Sequence, residues 1–306
     1  MEFHFAPIQG HTDAPYRHFH VVAYGNDVDY YTPFIRLERE ALRQRDAKDM
    51  TSPLNDGCRL TPQIIFRDRH ELESLVTLLK ETGCRNIDLN MGCPFPLQTG
   101  HGRGAATIAD TRLGEAVAET VTNNPEITFS VKMRLGMTDK HEWAELMPYL
   151  NRAKLRHIAV HPRVARQQYG GNVDYGEFEA ILAESQNPVV YNGDIKTPSD
   201  IDDVMARFPE AAGIMVGRGL LGRPSLFAEY ISGKEWDRTD RIASMLGFHR
   251  RLLEHYSSSL CGESQIISKI KPFWEYAEDE IGRKAWKAIK KATNIAKYHS
   301  AVAMVE

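Results

Sequence analysis

Short apolar runs alternate with longer amphipathic stretches from the N-terminus to about residue 237, and this pattern predicts repeated units of a β-strand followed by an α-helix. Eight strands are predicted, at residues 3–8, 28–35, 60–66, 86–93, 128–135, 157–163, 188–195 and 213–219. Eight such units in about 230 residues are typical of a TIM barrel, an α/β fold. A doubly wound sheet has less support, because no G-x-G-x-x-G sequence follows the first strand.

The strand pattern stops near residue 238, and the remaining sequence has only helical periodicity. We therefore predict two domains, a TIM barrel over residues 1–237 and a small all-helical domain over residues 238–306. With 306 residues and 42% hydrophobic content, the chain is long enough to bury a substantial core.

Positive charge is concentrated in the predicted helical domain. From residue 240 onwards 11 Lys and Arg stand against 8 Asp and Glu, although the whole chain has a net charge of −3. If residues 281–297 form one helix, one side carries Arg283, Lys287, Lys290, Lys291 and Lys297, and the other carries Ala285, Ala288, Ala292, Ile295 and Ala296. Such a basic face, with Trp286 and Tyr298 nearby, is typical of a polyanion-binding surface, although an ordinary solvated helix has the same pattern.

Several classes of protein are disfavoured by the sequence. The four cysteines are widely spaced without a Cys-x-x-Cys pair, so we expect reduced thiols and no disulfide framework, structural zinc site or other metal site. No apolar run approaches the roughly 18 residues of a membrane helix. The N-terminus lacks the features of a signal peptide, so we expect a cytoplasmic protein with no membrane association and no obligate protein partner.

Unusual polar residues fall at the carboxyl ends of the predicted strands. In a TIM barrel these ends converge on one face, where the active sites of this fold lie. Each residue alone has a structural explanation, but seven coincident strand ends favour a functional site. The residues are Pro7, Gln9, Gln63, Asn90, Cys93, Lys132, Arg134, His161, Arg163, Asn192, Asp194, Gly217 and Arg218.

Cys93 stands at the end of a predicted buried strand and before a loop that contains Gly100, Gly102 and Gly104. Glycines allow a backbone to approach a ligand closely, so this position suits a reactive thiol. An isolated cysteine is more often a small buried core residue, which is the alternative interpretation.

The last two strands end in NGD and GRG, which offer backbone N–H groups and Arg218 to a phosphate. Gln63, Lys132 and Asn192 are suited to bind the polar edge of a flat heterocycle, with Lys132 placed where a reduced flavin carries negative charge. These features favour FMN, although a phosphosugar substrate would use the same phosphate site.

The motifs that carry this chemistry resemble those of the dihydrouridine synthase family. They are FAPIQGHTDAPYR, PQIIF, NMGCP, GRGAA, SVKMRLG, HPRVARQQYGG, PVVYNGDI and GIMVGRGLLGRP, and together they span almost the whole chain. The resemblance implies an FMN-binding TIM barrel followed by a helical RNA-binding domain. It also implies reduction of uridine in transfer RNA to 5,6-dihydrouridine, with NADPH or NADH as the reductant of FMN.

Site residues are implied by position within these motifs. The resemblance makes Cys93 the donor of a proton to C5 of uracil, while a hydride goes to C6. The expected FMN contacts are Pro7, Ile8, Gln9, Gln63, Lys132, His161, Asn192, Gly193, Asp194, Gly217 and Arg218. The expected tRNA contacts are Asn90, Arg134 and Arg163 near the uracil, and Arg283, Lys287, Lys290 and Lys291 on the basic face.

Two other functions remain open on the sequence. One is a different flavin-dependent TIM-barrel oxidoreductase that acts on a small molecule, such as a dihydroorotate dehydrogenase or an ene-reductase, which would leave the basic helical region without a role. The other is a non-catalytic RNA-binding protein, which the joint presence of Cys93, Lys132 and His161 disfavours.

Overall fold

A computed structural model of the protein describes residues 1–305. Its strands are β1 (Glu2–Phe5), β2 (Asp29–Tyr31), β3 (Leu37–Glu38), β4 (Ala41–Leu42), β5 (Arg59–Thr61), β6 (Gln63–Ile64), β7 (Asn86–Met91), β8 (Thr128–Gly136), β9 (Ile158–Val164), β10 (Val189–Asn192) and β11 (Gly213–Val216). Its α-helices are α1 (Ala14–Tyr24), α2 (Gln44–Met50), α3 (Arg69–Glu81), α4 (Pro96–Thr99), α5 (Thr111–Asn123), α6 (Trp143–Arg152), α7 (Tyr175–Glu184), α8 (Pro198–Arg207), α9 (Arg218–Gly222), α10 (Leu226–Ser232), α11 (Arg238–Ser259), α12 (Glu263–Ile270), α13 (Glu278–Ile281), α14 (Arg283–Lys291) and α15 (Ile295–Val302).

Nine of the strands form one parallel sheet in the order β5-β2-β1-β11-β10-β9-β8-β7-β6. β5 and β6 are two halves of a single strand interrupted at Pro62, which has no N–H to donate. Because β5 pairs with β2 and β6 pairs with β7, this strand joins the two edges of the sheet. A parallel bridge between Ile35 and Ile64 extends the same closure. The sheet is therefore an eight-stranded barrel, and the predicted TIM-barrel fold is confirmed.

All eight predicted strands are present, but most are shorter at the carboxyl end than the apolar pattern suggested. The strand predicted at 188–195, for example, leaves the sheet after Asn192. Its last residues instead lead into α8, where Thr197 and Asp200 form a reciprocal capping box. The β3–β4 hairpin was not predicted, because each of its strands has only two residues.

The core has two layers, as strand alternation requires. The larger apolar cluster lies between the barrel and its helices and includes Leu89, Val131 and Ile158. A smaller cluster takes one residue from each of five neighbouring strands or strand ends and lies inside the barrel: Ala6, Tyr31, Ala159, Val190 and Met215. Outward residues therefore hold the helices, and inward residues fill the barrel beneath its open end.

The C-terminal helices pack against the first helix of the barrel. The rings of Tyr16 and Phe248 lie 4.9 Å apart, and Lys269 Nζ lies 2.5 Å from Asp13 Oδ2. α11 begins at Arg238 after Asp237, whose side chain accepts a hydrogen bond from the next turn. The predicted boundary therefore coincides with a helix start, and the independence of residues 1–237 and 238–306 stays a prediction.

The single basic helix predicted over residues 281–297 is wrong. α14 ends at Lys291, and Asn294 caps a new helix, α15, by accepting a hydrogen bond from the backbone N–H of Lys297 at 2.9 Å. Lys297 therefore lies on a different helix from the other basic residues, and Ala296, which was predicted to pack, is exposed.

Within α14 the predicted amphipathic arrangement holds. Ala285 and Ile289 are buried, whereas the basic side chains on the opposite side are exposed: Arg283, Lys284, Lys287, Lys290 and Lys291. Tyr298, which was considered near this face, is a fully buried core residue that accepts a hydrogen bond from Trp274 Nε1 at 2.9 Å.

Two expectations about the chain as a whole can be compared with the structure. Cys58, Cys84, Cys93 and Cys261 are all free thiols. Among the described residues, every helix is too short or too polar to cross a membrane.

Candidate active site

A cavity of about 610 Å³ opens at the carboxyl ends of the barrel strands. Its lining combines residues from eight different strand ends with residues from the C-terminal helices. The sequence-predicted residues that line it are Pro7, Ile8, Gln9, Gln63, Asn90, Cys93, Lys132, Arg134, His161, Asn192, Gly193, Asp194, Gly217 and Arg218. The fold therefore brings together the whole predicted cofactor set and Cys93, while their individual roles stay predictions.

Cys93 is held in this cavity by hydrogen bonds to its backbone. The side-chain oxygen of Asn90 accepts hydrogen bonds from the backbone N–H groups of Gly92 at 3.1 Å and Cys93 at 2.9 Å. Ala105 donates its N–H to the Cys93 carbonyl at 3.1 Å. Gly104 has a φ of +62°, and a Cβ on it would lie 2.6 Å from that carbonyl oxygen. The thiol therefore stands on a backbone that is fixed from both sides.

The other end of this loop is anchored by an ion pair. Arg103 donates to Glu71 through Nη2 at 2.5 Å and through Nε at 3.1 Å, and both side chains are largely buried. Glu71 lies in the first turn of α3, and its backbone N–H is capped by Asp68 at 2.8 Å. Such a paired, two-point contact fixes the orientation of the loop against the barrel.

A chain of buried hydrogen bonds extends from Asn90 into the barrel. Asn90 Nδ2 donates to Gln63 Oε1 at 2.8 Å, and Gln63 Nε2 donates to Asp88 Oδ2 at 2.7 Å. Ser130 Oγ donates to the other oxygen of Asp88 at 2.6 Å. Burial raises the pKa of Asp88, whereas the bonds from Ser130 and Gln63 lower it. Asp88 was not predicted as a site residue, although a carboxylate within a buried strand is a signal that it has partners.

The Cys93 thiol is buried, with 8% of the residue exposed. Burial raises its pKa, and the opposing contributions of the Phe95 backbone N–H, Arg134 and Lys132 do not reverse that direction. The thiol is therefore protonated at neutral pH. Two exposed apolar side chains follow it, with Phe95 51% and Leu97 71% exposed.

Lys132 projects from β8 and is half-buried. Its Nζ donates to Asn192 Oδ1 at 2.7 Å, and Asn192 Nδ2 donates to the Met215 carbonyl at 2.7 Å. Burial and repulsion from Arg134 lower the pKa of Lys132 to about 8, while Asp88 and Cys93 oppose the shift. The ammonium group is thus cationic at neutral pH and fixed in direction by one neutral partner.

Arg163 lies behind the cavity and is not part of its lining. It donates through Nη1 to His161 Nε2 at 3.0 Å and to Asp194 Oδ1 at 2.9 Å, and through Nη2 to the Gly171 carbonyl at 2.5 Å and to Asp194. Both terminal nitrogens of the guanidinium are used in this way, whereas Nε is buried without a hydrogen-bond partner among residues 1–305. The substrate contact of Arg163 stays a prediction. The Asp194 carboxylate, predicted at the phosphate end of the cofactor, is instead bound by Arg163.

The hydrogen bond from Arg163 determines which ring nitrogen of His161 carries the proton. A guanidinium only donates, so Nε2 of His161 is the acceptor and the neutral ring carries its proton on Nδ1. Burial, followed by the positive charges of Arg134, Lys132 and Arg163, lowers the pKa of His161 well below its usual value. His161 is therefore a neutral ring with one N–H donor, and it belongs to the cavity lining.

Tyr169 covers the cationic side of the cavity. Its ring centroid lies 3.9 Å from Cζ of Arg218 and 5.5 Å from Cζ of Arg134. Arg218 also lies 3.6 Å from the Asp194 carboxylate, which it shares with Arg163. Sequence reasoning missed Tyr169, because it lies in the loop after β9 and not at a strand end.

The C-terminal region completes the wall opposite the barrel loops. The contributing residues are Glu275, Tyr276, Asp279 and Glu280, none of which was predicted. His11 Nε2 lies 2.9 Å from Glu275 Oε2 across the boundary between the two parts of the chain. Trp286 of α14 donates from Nε1 to the Glu275 carbonyl at 3.2 Å, so the basic helix adjoins the rim of the cavity.

Known structures with a similar fold include morphinone reductase, with a TM-score of 0.52 and 12% sequence identity over 77% of this chain and 87% of that chain. The old yellow enzyme from Trypanosoma cruzi is similar to the same degree, with a TM-score of 0.52 and 9% identity over 77% of this chain and 89% of that chain. At such low identity these similarities show the fold alone.

Sequence comparisons are more specific. The chain is 28% identical over 256 residues to a probable tRNA-dihydrouridine synthase of Rhodobacter capsulatus, which covers 83% of this chain and 78% of the relative. It is 31% identical over 228 residues to a probable tRNA-dihydrouridine synthase of Rickettsia conorii, covering 73% of this chain and 65% of the relative. The model of the dihydrouridine synthase family matches residues 4–302, so this protein belongs to the dihydrouridine synthase family of enzymes.

Proposed function

We propose that this protein reduces uridine in transfer RNA to 5,6-dihydrouridine, with FMN bound in the cavity and NADPH or NADH as the reductant of the flavin. The observation that carries the proposal is the protonated Cys93 thiol, held by Asn90 in the same cavity as Lys132 and Arg218. The names of the two relatives support the choice of substrate.

The donor set of the cavity fits a phosphorylated flavin. Lys132, Arg134 and Arg218 supply positive charge along the lining, and Asp194 is already paired with Arg163. Arg218 would hold the phosphate, together with the backbone at Gly193 and Gly217. Lys132 and the Nδ1–H of His161 would face the electron-rich edge of the ring system.

Reduction of the C5=C6 bond of uracil requires one hydride and one proton. FMN, when bound, supplies the hydride to C6. Cys93 donates the proton from Sγ to C5, which is possible because its raised pKa keeps the thiol protonated at neutral pH. The thiolate that remains is stabilised by the positive charges of Arg134 and Lys132 until it recovers a proton from water.

Asn90 acts mainly on Cys93 and only secondarily on the substrate. Its side-chain oxygen is used by two backbone N–H groups, and one Nδ2–H is used by Gln63. The second Nδ2–H is left to bind a uracil carbonyl. Gln63 and Asp88 behind it fix the direction of this amide, so the base and the thiol are positioned by one network.

RNA binding accounts for two exposed features near the cavity. α14 presents Lys287, Lys290 and Lys291 to solvent, and none of them forms an ion pair with residues 1–305. These lysines are suited to contact phosphates. Phe95 and Leu97 follow Cys93 in the chain, both are exposed, and Phe95 lines the cavity. Exposed apolar side chains of this kind can stack against a base that has left its helix. Unstacking a nucleotide costs a few kcal/mol, and such contacts offset that cost.

The proposal is tested by measuring dihydrouridine at each position of tRNA from cells with and without the gene. Cells that lack the gene should lose dihydrouridine at one or more positions, and the wild-type gene should restore it. A gene that carries the Cys93→Ala substitution should not restore it. An unchanged dihydrouridine profile, together with flavin-dependent reduction of a small unsaturated carbonyl compound, would indicate instead an oxidoreductase for small molecules.

A further inference from the structure

A second cluster of polar side chains, partly buried, lies at the opposite end of the barrel from the cavity. Glu2 and His4 belong to β1, and His157 immediately precedes β9. Glu2 Oε2 lies 3.3 Å from His4 Nε2 and 4.0 Å from His157 Nδ1. Both histidines are buried, whereas 45% of the Glu2 side chain is exposed. Two imidazole nitrogens therefore point towards one carboxylate oxygen that is open to solvent on its other side.

The other nitrogen of each ring is bound to the same hydroxyl group. Tyr31 Oη lies 2.9 Å from His4 Nδ1 and 3.3 Å from His157 Nε2. His4 Nε2 and His157 Nδ1 have no hydrogen-bond partner among residues 1–305, although both atoms are buried. The two rings are thus fixed by Tyr31 and present unpartnered atoms to Glu2.

The protons of this cluster cannot satisfy every contact. Tyr31 has one proton, so it can donate to only one histidine, and the other histidine must donate to Tyr31. That second ring, if neutral, then has its proton facing Tyr31 and its lone pair facing the Glu2 carboxylate. If Tyr31 donates to His4, the Nε2–H of His4 faces Glu2 at 3.3 Å, and the lone pair of His157 Nδ1 is left buried and without a donor, 4.0 Å from the same carboxylate oxygen. A cation between them would satisfy both the lone pair and the carboxylate.

We propose that Glu2 Oε2, His4 Nε2 and His157 Nδ1 bind a divalent transition-metal ion such as Zn²⁺, with water as the fourth ligand. Two imidazole nitrogens and one carboxylate are a preferred donor set of this ion. Ligands about 2.0 to 2.2 Å from Zn²⁺ in a tetrahedron lie roughly 3.3 to 3.6 Å apart, as His4 Nε2 and Glu2 Oε2 already do. The three atoms now lie within 4.8 Å of one another. Metal binding therefore requires His157 Nδ1, 4.0 Å from Glu2 Oε2, to move about 0.4 to 0.7 Å closer to that oxygen.

The surroundings are compatible with this site. When both rings bind the metal, both donate their second N–H to Tyr31, which then serves as the outer partner that orients them. Arg156 lies 3.3 Å from Glu2 Oε2, but it also lies 2.5 Å from Asp29 Oδ2. Its ion pair with Asp29 can therefore remain when Glu2 binds a metal. The exposed side of Glu2 provides a path for the ion and its water.

The ion would have a structural role, because it lies outside the cavity that contains Cys93. It would join the first residues of β1 to the start of β9, two strands that are not neighbours in the sheet. The spacing of the cysteines predicted no metal site, and a site of this kind leaves no local pattern, because His4 and His157 are 153 positions apart.

The test uses the full chain with any tag at the C-terminus, away from Glu2. The protein is treated with a chelator and titrated with Zn²⁺ by calorimetry and with Co²⁺ by visible absorption. We expect one ion per chain, with absorption bands of four-coordinate Co²⁺. Glu2→Gln and His157→Gln should weaken Zn²⁺ binding at least tenfold, and Tyr31→Phe should weaken it about 10- to 100-fold.

His70→Gln is the matched control, because His70 pairs with Glu40 at 2.9 Å on the surface and has no third ligand. It should leave binding unchanged. Glu2→Gln alters an exposed side chain and keeps the test valid if the buried variants fail to fold. The proposal is overturned if wild-type protein takes up no Zn²⁺, or if Glu2→Gln binds it with wild-type affinity. Binding that survives Glu2→Gln but disappears in Cys93→Ala would place the ion at the thiol instead.

Discussion

The protein uses positive charge in two different ways, inside the cavity and on α14. Lys132, Arg134 and Arg218 are held at fixed positions by buried or half-buried contacts. The lysines of α14 are exposed and have no ion-pair partner among the described residues, although Lys290 lies 4.2 Å from the ring centroid of Trp286. Buried charges act strongly on one nearby group, whereas exposed charges act weakly on many and are screened by salt. Chemistry and RNA affinity should therefore respond to different mutations and different conditions.

The largest effect should follow the removal of the thiol that the buried charges surround. In Cys93→Ala, uridine reduction should fall by about 10² to 10⁴, the usual contribution of a positioned general acid. Reduction of the flavin by NADPH should remain near its normal rate, because the rest of the cavity is intact. The measurement is rapid mixing of each half-reaction on one preparation.

Cys58→Ala provides the matched control for this substitution, since Cys58 is a half-buried free thiol outside the cavity. It should leave both half-reactions unchanged. Full uridine reduction by Cys93→Ala would assign proton donation to water or to another group.

A smaller effect is expected when a buried charge is removed from the cavity. Lys132→Met should weaken flavin binding by about 10- to 100-fold, because a charge-assisted hydrogen bond contributes about 1.5 to 3 kcal/mol. The loss should be nearly independent of salt. Equilibrium titration of flavin-free protein with FMN at 50 mM and 500 mM salt, concentrations chosen to span about a threefold change in screening length, measures both statements. If the higher salt concentration abolished the difference in FMN affinity between the wild-type protein and Lys132→Met, Lys132 would respond to salt in the same way as the lysines of α14.

The exposed charges should behave in the opposite way. Replacing Lys287, Lys290 and Lys291 by Glu should raise the tRNA dissociation constant about tenfold or more. It should also reduce the slope of log Kd against log salt by about one for each lysine that contacts a phosphate. Flavin content should stay normal.

A control with equal change in net charge is available in Lys48, Lys154 and Lys234, three exposed lysines on other parts of the surface. Their replacement by Glu should alter tRNA binding much less. Equal losses in both triple variants would mean that overall charge, and not α14, determines affinity.

The smallest effect concerns pH. Burial lowers the pKa of Lys132 to about 8, so its positive charge is complete well below pH 8 and is lost as the pH rises through that value. FMN affinity should therefore decrease by about fourfold between pH 7 and pH 8.5, where only about a quarter of a group with this pKa is protonated. In Lys132→Met the affinity should not change over this interval. If the affinity of the wild-type protein for FMN did not change up to pH 9, this prediction would be contradicted.

The barrel and its cavity were predictable because both follow from short-range pattern. Each strand is a local apolar run, and residues such as Gln63 and Lys132 are marked by their place at strand ends. The topology then brings those ends together without further information. The residues that were missed, such as Tyr169 and Glu275, lie in a loop or in the helical region, where no repeating pattern indicates which side chains turn towards the cavity.

Other errors come from interactions that a linear pattern does not contain. Arg163 and Asp194 are 31 positions apart in the chain, and only the fold shows that the guanidinium of one binds the carboxylate of the other. The break after Lys291 did have a local signal, because Asn294 is a residue type that favours the start of a helix. Helical periodicity alone overlooked it.

The close contact between Gly104 and Cys93 limits which residues can stand at position 104. Any other residue at position 104 would need a strained backbone and would push its side chain into the segment that carries the thiol. A mutation there would displace the Cys93 thiol while every residue that lines the cavity kept its identity. Sequence variation in this loop is therefore restricted by the backbone of Cys93, and a search for inactive natural variants has to include a position that does not line the cavity.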